Sequence, residues 1–283
     1  MRQPGYITLP IIVVLLSIGY LYYATVFVVI DGWLGLGTAP GLANAAVFSG
    51  LGVICVGTYV TAVRRDPGHV PSSYTPDIED PGVSIHEIKR KSGDLRYCQK
   101  CSHYKPPRAH HCRVCKRCIL KMDHHCIWIN NCVGHGNYKV FFVFLLHAVI
   151  ACTHSMVLLV GSTAHDFHGD QRQTEGSSRI SYIICGVLLF PLTLALIILL
   201  GWHIYLILQN KTTIEYHEGV RAMGLAQENG NDYQHPYDLG AYENLVSILG
   251  PSVWCWICPT SGHIGSGLHF RTFYDLRLSR ASS

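Results

Sequence analysis

Seven cysteines fall between Cys98 and Cys132, and their spacing repeats. Cys98, Cys101, His111 and Cys118 read Cys-x2-Cys-x9-His-x6-Cys. Adding 14 to each number gives Cys112, Cys115, His125 and Cys132, with all three spacings preserved. Two overlapping copies of one motif thus offer six thiols and two imidazoles. Three sulfurs and one nitrogen make a complete tetrahedral zinc set, and a set with no position left for water is structural. Cys-x2-Cys pairs in a reducing compartment read as metal ligands rather than disulfides. The segment is short, rich in Lys and Arg, and lacks an apolar run, so metal binding would supply its folding energy. A different partition, with Cys112, Cys115 and Cys118 sharing one ion, uses the same residues; the preserved spacing favours the repeat.

The repeat leaves one cysteine over, Cys126, in Asp123-His124-His125-Cys126. With His125 committed to metal, Asp123, His124 and Cys126 remain. A thiol beside an imidazole is the minimal nucleophile–base pair. An acid that hydrogen-bonds the imidazole fixes its tautomer and stabilises the imidazolium. Nearby metal and basic side chains favour the thiolate. The plain alternative is a spare ligand at Cys126 and a surface histidine at His124.

The elements around this loop follow from charge. Only 14% of the 283 residues are charged, against 49% hydrophobic; soluble domains are about 25% charged, and disorder needs the opposite balance. Charge-free stretches predict membrane spans at about 9–30, 42–63, 140–161 and 182–207, each near the roughly 20 residues that a bilayer core requires. His147, Thr153 and His154 of the third are expected to face other helices or the interface. The apolar run near the N-terminus exceeds the 7–15 residues usual for a signal peptide, which favours a retained span. Residues 64–139 hold 14 of the 22 Lys and Arg, so the positive-inside rule places that loop, and both termini, in the cytoplasm. The expected fold is an all-α polytopic membrane protein, with a cytoplasmic zinc-binding domain between spans two and three. Its divisions are 1–63 (N-tail and two spans), 64–97 (linker), 98–139 (cysteine-rich domain), 140–207 (two spans) and 208–283 (cytoplasmic C-terminal region).

At these residues the chain resembles the DHHC-type protein S-acyltransferases, or palmitoyltransferases. The run from Cys98 to Cys132, including Lys105-Pro106-x-Arg108, carries the likeness, and Asn137-Tyr138 and Phe141 extend it. Asp66-Pro67-Gly68 is similar to the family's motif after the second span, Thr212-Thr213-Ile214-Glu215 to its Thr-Thr-x-Glu motif, and Asn244, more loosely, to a C-terminal one. One departure stands out: Ile127 occupies the position where the family commonly has Pro, which would remove a backbone donor and restrict its predecessor. The resemblance implies a two-step reaction, in which acyl-CoA acylates Cys126 and a substrate cysteine then takes the acyl group. His124 would be the base and Asp123 its orienting acid. Lys105 and Arg108 are candidates to hold CoA phosphates. Trp128, Phe141, Phe142 and Phe144 are candidates to line the acyl cavity. The implied partners are acyl-CoA, the lipid bilayer and membrane-associated proteins with accessible cysteines, in the endoplasmic reticulum, Golgi or plasma membrane. Two other classes compete. A non-catalytic membrane adaptor would use the same zinc module without a thioester. A nucleic-acid binder is disfavoured because no recognition-helix signature is present.

Elsewhere the sequence predicts an irregular linker over 66–96, with Lys89-Arg90-Lys91 a solvated or lipid-facing cluster. It predicts a polar loop over 219–239. Ala241, Leu245, Ile248 and Leu249 fall at helical spacing. Thr212, Thr213 and Glu215 are expected to pack the tail on the catalytic domain, and Asn244 to cap or tie a loop. Trp254-Cys255-Trp256-Ile257-Cys258 fits interfacial docking better than a third metal site, with its thiols candidates for acylation. Cys55, Cys152 and Cys185 are read as packing residues within the spans.

Overall fold

The computed structural model describes residues 7–76, 95–168, 176–228, 235–259 and 265–275. The Lys89-Arg90-Lys91 cluster and much of the 66–96 linker lie outside them. Among the described residues four helices are long and apolar enough to cross a membrane: Leu9–Trp33, Ala39–Arg64, Tyr138–His165 and Ile180–Leu208. Each matches its expected span to within a few residues. The chain divides into two compact units, one of Ile7–Thr61 with Phe142–Trp202, the other containing Ala62–Phe141 and the chain from His203 onward.

In the first unit the apolar residues sort by face. Val29, Ile30, Phe48, Leu159, Cys185 and Leu189 pack inward, while Leu16, Val53 and Ile198 stay more than 60% exposed, as side chains facing lipid do. Cys55, Cys152 and Cys185 are all buried in packing positions, as expected. Polar groups are paired within the bundle: Thr25 with Ser155 at 2.7 Å, Tyr22 with Ser49 at 2.9 Å, and His154 with Asn44 at 2.9 Å. His147 Nδ1–H donates to the Val143 carbonyl of its own helix at 2.9 Å. Helix approach is close at Gly161, where a Cβ would stand 2.5 Å from the Trp33 ring; small residues permit such contacts in membranes. The first span carries a π-helical stretch, Ala24–Ile30, which brings Thr25 to Ser155.

The second unit is not purely helical. Three two-stranded antiparallel hairpins stand where the fold was expected to be all-α: β1 (Tyr97–Cys98) with β2 (His103–Tyr104), β3 (His110–Cys112) with β4 (Arg117–Ile119), and β5 (His124–Cys126) with β6 (Asn131–Val133). Each strand is only two or three residues long, too short for an alternating strand pattern to show in the sequence. The Asp66-Pro67-Gly68 motif is stitched to this region by backbone. Leu120 N–H donates to the Gly68 carbonyl and Gly136 N–H to that of Pro67, both at 2.9 Å. At Gly136 a Cβ would stand 2.5 Å from the Asp66 carbonyl oxygen, so only glycine fits. Asn131 donates to the carbonyls of Ala62, Val63 and Arg65, capping the end of the second span.

The expected loop over 219–239 is corrected over 219–228 only; residues 235–239 carry no helix or strand, as expected. A helix runs Thr213–Glu228, and the short helix Ala241–Leu249 follows. The first has a reciprocal cap: Thr212 N–H donates to Glu215 Oε2 at 2.9 Å, and Glu215 N–H donates to Thr212 Oγ1 at 3.2 Å. This Thr-x-x-Glu arrangement is a capping box, and it starts a helix whose apolar residues are scattered among polar ones. Polarity made the segment look like a loop; the box was the missed signal.

Candidate active site and metal centres

The hairpins explain how overlapping motifs avoid competing for the same ion. Successive side chains of a strand point to opposite faces. On β3, His111 therefore joins Cys98, Cys101 and Cys118, while its neighbour Cys112 joins Cys115, His125 and Cys132. In each set the histidine and the last cysteine are cross-strand partners, His111 with Cys118 and His125 with Cys132. All donor atoms within a set lie within 4.8 Å of one another. His111 Nδ1 is 3.6, 3.2 and 3.9 Å from the sulfurs of Cys98, Cys101 and Cys118. His125 Nδ1 is 3.7, 3.4 and 3.6 Å from those of Cys112, Cys115 and Cys132. Both sets can hold a metal ion. The alternative grouping of Cys112, Cys115 and Cys118 does not form.

The same 14-residue period runs on into the third hairpin. Cys98, Cys112 and Cys126 face His103, Arg117 and Asn131 across their hairpins. The turns each hold one residue in the left-handed region, Ser102 at φ 54, Lys116 at φ 56 and Asn130 at φ 47. Cys126 thus stands where a metal ligand stands in the other two copies. Its own set is missing: the position of Cys101 and Cys115 is taken by Ile129.

What Cys126 has instead is a hydrogen-bonded file. On β5, strand alternation turns His125 to the metal set and leaves Cys126 and His124 on the other face. The Cys126 side chain is hydrogen-bonded to His124. His124 Nδ1 meets Asp123 Oδ2 at 2.6 Å. Asp123 is fully buried and accepts two more bonds from Thr213, from its N–H at 2.9 Å and its hydroxyl at 2.9 Å. Burial works against charge on His124, but the bonds to Asp123 and Cys126 override it and lift the imidazole to about 9. Burial likewise opposes the Asp123 charge, and the bonds from His124 and Thr213 hold its carboxyl below the ordinary range. His203 of the fourth span completes the surroundings. It is 1% exposed, bonds the Tyr138 hydroxyl at 2.9 Å, and its ring lies 5.9 Å from that of His124 and 5.1 Å from that of Phe141. Donor atoms of Asp123, His124 and His203 also lie within 4.8 Å of one another, but the 2.6 Å Asp123–His124 bond leaves no space between them for an ion.

Thr213 is held by the capping box, and the box by a buried ion pair. Arg108, 4% exposed, donates through Nε and Nη2 to both Glu215 oxygens at 2.7 Å, and to the Oδ1 and carbonyl of Asn210. The Tyr237 and Phe270 rings cover its guanidinium at 4.3 and 5.0 Å. Burial pushes the Glu215 carboxyl up, yet the charge and hydrogen bonds of Arg108 hold it down at about 2. Asn244 ties the short helix in, donating to the Leu208 carbonyl at 2.8 Å and to Asp238 at 2.7 Å.

The candidate acyl-CoA contacts are placed unequally. Lys105 lines an open depression of about 890 Å³ with Arg96, Lys100, His110, Arg113 and Glu218. Arg108 is corrected: enclosed by Glu215, Asn210 and two rings, it is not offered to a phosphate. Phe141 stands edge-on to His124, ring centres 5.5 Å apart. Phe144 packs against Tyr59 in the span unit, at 5.3 Å. Trp128 and Ile127 are 53% and 60% exposed on the β5–β6 turn. Sequence reasoning missed His203, because a lone histidine in an apolar helix carries no spacing signal. It assigned Thr213 to tail packing without its bonds to Asp123.

Comparison with known proteins agrees with this geometry. The family model described as DHHC palmitoyltransferase matches residues 91–220. "Probable protein S-acyltransferase 16" of Arabidopsis thaliana is 63% identical over 268 residues, covering 95% of this chain and 94% of the relative. "Probable protein S-acyltransferase 15" of the same organism is 47% identical, over 86% of the chain and 93% of the relative. "Palmitoyltransferase ZDHHC2" of Danio rerio is 35% identical over 64% of the chain and 48% of its own length. With the likeness to the plant proteins running nearly end to end and the family model spanning both metal sets and the Cys126 hairpin, the chain belongs to the DHHC palmitoyltransferase family.

Proposed function

We propose that the protein is an integral-membrane protein S-acyltransferase. It moves a long-chain acyl group, palmitoyl by our reading, from acyl-CoA to Cys126 and then to cysteines of membrane-associated proteins. The observation that carries this is the file Thr213–Asp123–His124–Cys126, an aligned acid, base and thiol. His124 Nδ1 is engaged by Asp123, so Nε2 takes the thiol proton. The Cys126 sulfur attacks the thioester carbonyl of acyl-CoA; the new S–C bond forms as the bond to CoA sulfur breaks, and His124 returns its proton to the departing thiolate. In the second step a substrate thiol gives its proton to His124 and displaces Cys126 in the same manner. Base assistance of this kind is worth about 10²–10⁴-fold. Asp123 and Thr213 keep the imidazole in one tautomer and orientation.

The two cysteine–histidine sets suit one structural Zn²⁺ each. A tetrahedral ion with Zn–S near 2.3 Å and Zn–N near 2.0 Å has S···N edges of about 3.5 Å, and the observed spacings cluster there. Bound zinc would fix the hairpins; the chemistry belongs to the other face of β5. In the proposed layout, 98–139 forms the zinc domain, joined by linker 64–97 to spans over 1–63 and followed by spans over 140–207 and a tail over 208–283. The linker, zinc domain and both termini face the cytoplasm, because 64–139 carries 14 of the 22 basic residues. The membrane is endoplasmic reticulum, Golgi or plasma membrane. Lys105 and its basic neighbours suit the CoA phosphates. Trp128, Phe141 and Phe144 suit the acyl chain.

Incubation of purified protein with labelled palmitoyl-CoA tests the reading. Hydroxylamine-sensitive label on wild type, absent from Cys126→Ser, is the expected result. Zinc-loaded wild type that takes no label would overturn it in favour of an adaptor.

A further inference from the structure

Ten of the twelve cysteines have a place already. Six stand in the two metal sets, Cys126 bonds His124, and Cys55, Cys152 and Cys185 are buried in the spans. Cys255 and Cys258 remain, and neither is buried. They sit on a hook that follows the short helix Ala241–Leu249. A 3-10 turn, Val253–Cys255, is closed by Trp256 N–H donating to the Val253 carbonyl at 3.0 Å. Trp256 folds back, its Nε1–H donating to the Gly250 carbonyl at 2.8 Å and its ring lying 6.5 Å from that of Tyr242. Anchoring Trp256 turns the neighbouring apolar side chains outward: Val253 is 52%, Trp254 90% and Ile257 59% exposed.

One hydrogen bond and one electrostatic interaction relate this hook to the ends of the spans. Asn244 ties its helix to the Leu208 carbonyl, the last residue of the fourth span. Lys139, the second residue of the third span, lies within electrostatic reach of both Cys255 and Cys258. The start of the third span and the end of the fourth lie on one side of any bilayer that the two helices cross. The hook is therefore held on that side, near the ends of both spans. Exposed Trp with aliphatic neighbours there fits the interface, where such side chains concentrate. Thiols at the interface are where an acyl chain can be attached and enter lipid without leaving the surface.

We infer that Cys255 and Cys258 are acyl acceptors, a modification site for long-chain fatty acyl groups that anchors the tail hook to the bilayer. This rests on the transferase reading, which supplies the donor. The Sγ of either thiol attacks the thioester carbonyl on Cys126 of the same or a neighbouring copy. The new S–C bond forms as the Cys126 S–C bond breaks; His124 takes the incoming proton and returns it to Cys126, with no change of oxidation state. The acceptors match the substrate class of the enzyme: cysteines displayed at its own membrane surface.

The test is site-resolved mass spectrometry of full-length protein in vesicles, after a pulse of palmitoyl-CoA and a chase without it. Acyl groups that persist on Cys255 and Cys258 while Cys126 has discharged are the expected result. Cys255→Ser/Cys258→Ser should lose that persistent fraction and keep full loading of Cys126. Trp254→Ala/Ile257→Ala should slow its appearance without slowing Cys126 loading. A wild type whose Cys126 loads and discharges while both tail thiols stay open to maleimide overturns the inference and leaves the transferase intact. Absence of a thioester on Cys126 refutes the transferase reading, and with it the donor that tail acylation needs.

Discussion

The Arg108–Glu215 pair should govern the enzyme's heat stability through a charge that never touches substrate. Its side chains are 1% and 9% exposed, and removing one partner of a buried, hydrogen-bonded pair costs about 3–5 kcal/mol, because the other charge is left unmatched. Glu215→Gln isolates that effect, since the amide oxygen can still accept from Thr212 N–H and keep the capping box. At about 2–4 °C per kcal/mol for a chain of this size, the midpoint of heat inactivation should fall by about 6–20 °C. Arg108→Met/Glu215→Leu removes both charges and should recover most of the loss. The assay is thioester formation on Cys126 after graded heating in detergent. Thr213 begins the helix that Glu215 caps, so with the box kept Asp123 retains its two Thr213 bonds and the rate at low temperature should be unchanged. An unchanged inactivation midpoint in Glu215→Gln would refute the reasoning, as would a double variant no better than the worse single one.

Thr213→Val keeps the shape and the backbone donor but removes the hydroxyl bond to Asp123; a hydrogen bond to a charged group is worth about 1.5–3 kcal/mol, so Cys126 acylation should slow by roughly 10- to 100-fold with zinc content unchanged. Cys98→Ala should cost one zinc per chain by metal analysis and expose the hairpins to protease, rather than only slow chemistry. His235 is held down to about 4 by burial, so the unfolded state binds its proton first as pH falls. Stability should therefore decline from about pH 6.5 to pH 4, by about 3 kcal/mol at most, and His235→Gln should flatten that slope in pH-dependent melts. Ile129→Cys restores the second ligand of a Cys-x2-Cys knuckle at Cys126; its thioester formation in reducing buffer should become inhibitable by added Zn²⁺ and recover with chelator, while wild type is unaffected.

Much of this was legible because metal ligands obey spacing. Cys98, Cys101, His111 and Cys118 could be grouped by counting, and the spans could be placed by the absence of charge. Arg108 could not, since Lys-Pro-x-Arg in a basic loop reads as a phosphate contact until Glu215, 107 residues away, is brought beside it. The helix Thr213–Glu228 was hidden by its polarity, and His203 by its solitude in an apolar helix. The partners of Arg108 and His203 lie far away in sequence, where a local pattern holds no record of them, whereas the capping box of the helix is local.

The 14-residue period also accounts for why the proposed nucleophile stands among candidate metal ligands without becoming one. Each hairpin passes a cysteine forward to the next set: Cys98 and Cys112 each meet a second cysteine three residues on, then a histidine and a cysteine from the following hairpin. At Cys126 those three positions hold Ile129, Lys139 and Leu146, none of them a zinc ligand. The thiol is thus aimed by the same hairpin geometry as a ligand but has nothing to share an ion with. Its nearest partner is His124, two residues away on the same strand and so on the same face. A rigid metal module can hold a reactive sulfur in place while leaving it uncoordinated, provided that the last repeat is incomplete.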